Sequence, residues 1–425
     1  MSASRDTKLW HPFSDMAAVR GNEFTLVRGE GIRLWDDKGN RYIDGSGSLW
    51  YANVGHGRHE IADAVHAQMV TLESYSTFGD LTVPTAAELA ERLSALAPVD
   101  DGRVFFGMGG GDGTEAAAKL IRLYWTTLGQ PERVHIVTRQ HAYHGSQAFA
   151  TSIGGIAANK AGVGPLVEAV SNVAWDSPQA LRDEIARLGA DRVAAFFCEP
   201  VIGAGGVFPP PPGYIEEVAA ICAEHGIVFV IDAVICGFGR LGTWFGVERF
   251  GVRPDMIVFA KGVTGGYMPL GGVIVGARVA EPFWERPGTM FRHGQTYAGH
   301  AACCAAGLAT LDIMEREGLV ARGRELEGVF LGALVEMVGE HPLVGEVRGG
   351  TGLMAAVALK PELVAENPAL TAQVYGAVRD EGKVLTRAML GSLGMSPPLT
   401  ITEAEIGELA KGVRTGLDAV LRSRG

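Results

Sequence analysis

The sequence predicts an α/β protein with a mostly parallel sheet in a large domain and a smaller α+β domain after it. Three observations predict it. Short, near-continuous apolar runs alternate with longer helical patterns between about residues 100 and 276, as strands do when helices cover both faces of a sheet. After about residue 312 the texture changes to charged amphipathic helices such as EREGLVARGRELEGVFLGALVEMV. Finally, 425 residues are too many for one compact core and suit two domains.

Taken in order, FTLVRGEGIRLWDDKGNRYIDGS reads as a small antiparallel meander turning at DDKGN. RVFF (103–106) precedes the helical EAAAKLIRLYW, and RVHIVT (133–138) runs into a loop. RVAAFFCEP (192–200) leads through PPPPGYIEEVAAICAEHG to IVFVID (227–232), then DMIVFAK (255–261) and GGVIVG (271–276). The expected division is 1–50, an N-terminal segment packing with the small domain; 51–312, the large domain; and 313–425, the C-terminal small domain.

A net charge of −11 argues against nucleic acid or an anionic membrane as partner. Five cysteines without C-x-x-C spacing argue against a disulfide framework or zinc site and suit a reducing cytoplasm. The opening MSASRDTKLWHPF has no secretory pattern, and no run of 18 uncharged apolar residues is present to span a bilayer. The histidines at 56, 59, 141 and 144 form no metal-ligand pattern and are expected to cap turns or satisfy loops.

Three elements carry chemistry. Asp232 ends the apolar run IVFVI, at the strand end where open α/β sheets bind ligands; a carboxylate there needs a cation or serves as a turn cap. Lys261 ends a second apolar run before a glycine-rich loop. That lysine is either solvated or an amine whose pKa is depressed by apolar surroundings. GMGGGDGTEAAAKLIR places glycines at a helix start, where free N–H groups and the helix dipole favour an anion.

Together these elements resemble the fold type I, pyridoxal 5'-phosphate (PLP) dependent, class III aminotransferases. IDAVICGFGRLGTWFG is similar to that family's D-E-V-x-x-G-F-G-R-x-G motif, and AKGVTGGYMPLGG to its lysine motif. SLWYANVGHG, HAYHGS, CEPVIGAGGVFPPP, HGQTYAGH and SPPLTIT follow in the family's order, and the ω-amino acid or amine:pyruvate branch is the nearest in pattern. The resemblance implies that Lys261 carries PLP and that Asp232 meets its pyridine nitrogen. It implies that Tyr143 and Val234 cover the two ring faces, that Glu199 orders the pocket, and that Gly110 and Gly111 hold the phosphate. Thr296 would reach the phosphate in the partner subunit of a homodimer or tetramer. Trp50 and Tyr143 would line the substrate pocket, and Arg387 would meet a substrate carboxylate. Read by residue type alone, Trp50 and Tyr143 are equally core or interface aromatics, and Arg387 a surface ion-pair member.

The implied reaction moves an amino group from an ω-amino acid or primary amine to a keto acid such as pyruvate, without a metal. A decarboxylase or aminomutase of the same family is the alternative, and a cofactor-poor homologue is another. Three departures bear on this. The family's S-G-S-E is Gly109-Gly110-Gly111-Asp112, the acidic residue after Asp232 is Ala233, and TYSGH is TYAGH with Ala298. Loss of the loop hydroxyls is expected to weaken cofactor binding by about 1 kcal/mol per hydrogen bond.

Overall fold

The computed structural model describes residues 7–424; the first six residues of the opening segment lie outside it. Its centre is a seven-stranded sheet in the order Arg103–Gly107, Gly271–Val275, Met256–Phe259, Val228–Asp232, Val193–Cys198, His135–Arg139 and Val170–Val173. Every strand runs one way except Gly271–Val275, which is antiparallel to both neighbours. Val193–Cys198 is buried at every residue, which is why VAAFFC shows no alternation: both faces of the sheet are covered. Helices such as Gly110–Thr127 and Tyr214–Glu224 do the covering, turning residues like Ala117, Ile121, Ile215 and Val218 inward.

The edge strand Val170–Val173 has no counterpart in the sequence reading, because VSNV carries too little apolar signal. The N-terminal meander forms as Leu26–Glu30, Arg33–Asp36 and Arg41–Asp44. Its turn is tied by Asp36, whose Oδ1 accepts the N–H groups of Lys38 and Asn40 at 2.9 and 2.8 Å. Arg41–Asp44 then pairs in parallel with Val384–Leu385, from the other end of the chain. A third, antiparallel sheet runs Val344–Arg348, Ala355–Leu359, Ser392–Met395, Arg387–Met389. Leu370–Asp380 and Glu403–Arg424 bury Val374, Val378, Leu409 and Val413 beside it.

This topology gathers one end of the large sheet. The turn before helix Gly110–Thr127 and the loops after His135–Arg139, Val193–Cys198, Val228–Asp232 and Met256–Phe259 all leave at the strands' carboxyl ends, where such sheets bind ligands. Among the described residues, no helix is long and apolar enough to cross a membrane.

Candidate active site

A cavity of about 700 Å³ opens over those strand ends, and Trp50, Gly110, Gly111, Tyr143, Glu199, Asp232, Val234, Lys261 and Arg387 all line it. Nine of the ten residues singled out in the sequence therefore converge. The tenth, Thr296, is exposed and lies outside this cavity.

Asp232 closes its strand with the side chain buried. Oδ2 is 2.7 Å from Nδ1 of His144, and Oδ1 accepts the Val234 N–H at 3.1 Å. The turn or loop duty expected of His144 is thereby corrected: the imidazole is a buried partner of Asp232. Glu199 follows its strand directly and is also buried. Its Oε1 accepts the Tyr143 N–H at 3.0 Å and its Oε2 the Gly203 N–H at 2.9 Å, so one carboxylate fixes two cavity loops. Burial raises the Glu199 carboxyl above its usual range, opposed by His144.

Lys261 does not sit on a strand, as the apolar run suggested. Met256–Phe259 ends two residues earlier, and Lys261 opens the 3-10 turn Lys261–Thr264 at φ +52°, in the left-handed region that a side-chain-bearing residue seldom adopts. Burial lowers its amine to about 8, against the opposing pull of Asp232 and Glu199. An amine so placed is a far better nucleophile near neutrality than an exposed lysine.

Val234 likewise lies beyond the strand, so strand alternation is not what sets its direction. Its methyl groups press against Gly110: a Cβ there would stand 2.7 Å from Val234 Cγ2. Ala233 packs in the cluster of Phe238 and Phe259, whereas Val234 packs against the cluster of Val230 and Val258. Trp50 stands at φ +66° in a kinked segment that Asp44 stabilises by accepting the N–H groups of Ser46 and Ser48. Arg387 begins an edge strand opposite Gly394, and a Cβ at Gly394 would lie 3.2 Å from Trp50 Cη2. Among the described residues the Arg387 guanidinium makes no ion pair, which removes the surface-bridge reading.

An α/β sheet with a lysine of lowered pKa, two buried carboxylates and a helix start opened by glycines at its carboxyl edge suits an enzyme of carbonyl and amine chemistry. The aminotransferase class-III family model matches residues 16–416, and the chain belongs to that family. A putrescine–pyruvate aminotransferase of Pseudomonas aeruginosa is 34% identical over 98% of this chain and 95% of its own. A thermostable (S)-enantioselective omega-transaminase from Thermomicrobium roseum is 39% identical with a TM-score of 0.92, covering 97% of this chain and 96% of that one. An amine transaminase from an uncultivated Pseudomonas species, solved in its PLP-bound (internal aldimine) form, is 35% identical with a TM-score of 0.93, covering 99% and 100%. The fold is thus that of the fold type I PLP transaminases, and the chain is an aminotransferase.

Proposed function

We propose that this aminotransferase holds PLP at Lys261 and transfers the amino group of an ω-amino acid or primary amine to a keto acid such as pyruvate. The observation that carries the reading is the depressed Lys261 amine enclosed in one cavity with Asp232. The cavity suits the cofactor: glycines 110 and 111 keep the helix start free of side chains where a Cβ would run into Val234 and Gln147, and Tyr143 and Val234 line the same space. When bound, PLP supplies a carbonyl for amine exchange and an electron sink for cleavage at the substrate carbon.

The chain's own groups do the rest. Asp232, anchored by His144 and the Val234 N–H, holds a proton on the pyridine nitrogen. Lys261, neutral for part of the time at physiological pH, would hold the cofactor and, once displaced by the incoming substrate amine, would move a proton at the substrate carbon. Glu199 holds the Tyr143 backbone beside the cavity, Trp50 would bound the substrate side, and Arg387, free of ion pairs among the described residues, would receive a carboxylate when the substrate has one.

A homodimer, or a tetramer built from it, completes the site with the partner's phosphate contact from position 296. Thr296 is exposed next to exposed Tyr297, and exposed Phe78 packs at Gly294 two residues before it, an apolar surface suited to a second copy. The free thiols of all five buried cysteines suit the cytoplasm. The packing of the N-terminal segment with the small domain is supported by the pairing of Arg41–Asp44 with Val384–Leu385, whereas helix Ala301–Arg316 runs straight through the boundary placed at 312. The test is a panel of amine donors with pyruvate: alanine should form in step with the carbonyl product. Carbon dioxide without alanine would instead indicate a decarboxylase.

A further inference from the structure

Gly111 stands where the related phosphate loops carry a serine, yet the space beside it is filled. A Cβ built on Gly111 would overlap the Gln147 carboxamide, meeting Oε1 first and reaching 2.6 Å from Cδ and 2.7 Å from Nε2. A Cβ on Gly145 would in turn reach 2.9 Å from Gly111 Cα, so two facing glycines open the slot that the glutamine enters. Gln147 Nε2 donates to Asp112 Oδ1 at 3.1 Å, and Asp112 Oδ2 accepts the Met108 N–H at 3.0 Å. A carboxamide nitrogen has two N–H bonds, and this contact uses one.

The first intrahelical bond runs from Gly113 N–H to the Gly109 carbonyl, so the N–H groups of Gly110, Gly111 and Asp112 precede the helical ladder. Gln147 lies over this turn, and both line the cavity that contains Lys261. Asp112 is not among the residues lining that cavity, and each of its oxygens accepts an N–H donor.

We infer that Gln147 replaces the missing serine as an anion donor, giving its second N–H to the PLP phosphate while Asp112 orients the carboxamide. The inference rests on the cofactor reading above. A neutral donor on a dianion makes a charge-assisted bond, stronger than a bond between neutral groups. If Gln147 were only a solvated surface residue, removing it would change nothing.

The full-length chain, titrated with PLP and with pyridoxal, separates these cases. Gln147→Ala should weaken PLP about tenfold or more, the worth of one charge-assisted hydrogen bond, and leave pyridoxal unchanged. It should also reduce the rise in Tm that PLP confers. Gly111→Ser alone should gain nothing, because the serine must displace the glutamine; in the double variant it should restore most of the lost affinity. Equal PLP affinity in Gln147→Ala, or equal losses for both ligands, overturns the inference alone. A parent protein that takes up neither ligand overturns the cofactor reading and this inference with it.

Discussion

Nδ1 of His144 lies 2.7 Å from Oδ2 of Asp232, with both side chains buried and the imidazole edge-on to Phe197 at a centroid distance of 5.9 Å. The other Asp232 oxygen takes the Val234 N–H. The carboxylate is therefore held in one rotamer, at the strand end beneath the cavity. Nε2 of His144 is buried and meets no hydrogen-bond partner among the described residues, so Asp232 is the group that orients the imidazole.

Asp232→Asn should keep the cofactor bound and lower turnover well beyond tenfold, about 1.4 kcal/mol of barrier, because an amide does not favour a protonated ring nitrogen. His144→Ala should lower kcat by roughly ten- to a hundredfold, the worth of a hydrogen bond to a charged group. The double variant should be no worse than Asp232→Asn, since one group acts through the other. Full additivity in steady-state kinetics would separate the two residues.

Lys261→Ala should fold yet fail to retain cofactor covalently: borohydride should fix PLP to the parent chain and not to the variant. The parent should show a pH signature. Burial favours the neutral amine, so Lys261 titrates near 8 where an ordinary lysine would be almost wholly protonated. The rate of PLP uptake should climb with pH through about 8 and level off above it. At pH 7 roughly a tenth of the chains would carry the free amine. A rate still climbing steeply above about pH 9.5 would place the amine in solvent.

How much of this was legible in the sequence depends on distance along the chain. Asp232 and Lys261 stood out because apolar runs give way there to glycine-rich turns, a local signal. The left-handed φ of Lys261 and the position of Val234 past its strand were not legible, since apolar composition marks a strand without marking its last residue. The His144–Asp232 bond joins residues 88 apart, and Gln147 meets Asp112 across 35. Neither spacing has a period, so only the folded sheet edge reveals them. The glycine triplet illustrates the same limit: it read as lost donors, while the group filling the gap was on another loop.

The proposed homodimer predicts a species of twice the 44.9 kDa chain mass. Thr296 lies outside its own chain's cavity, so on the proposed reading Thr296→Ala should leave that mass unchanged in sedimentation while speeding PLP loss on dilution. A fully active monomer would remove Thr296 from the site.

Arg387 has to reconcile two substrates in one cavity. An uncharged amine needs an apolar wall, whereas a keto acid needs a cation, and a long side chain that makes no ion pair among the described residues can serve both by moving. Its place fits: it begins the edge strand Arg387–Met389, lines the cavity with Lys261, and has exposed Leu390 close behind it. Burial raises the Tyr143 phenol and lowers the Lys261 amine, and the Arg387 charge acts to lower both, so the guanidinium is felt across the cavity. Arg387→Ala should raise the apparent KM for pyruvate and ω-amino acids by about ten- to a hundredfold, the range for a charged hydrogen-bonding contact. Simple aryl or alkyl amines should keep their single-turnover rates in the donor half-reaction. If amine and keto acid suffer alike, or neither does, the arginine shapes the wall and does not read the carboxylate.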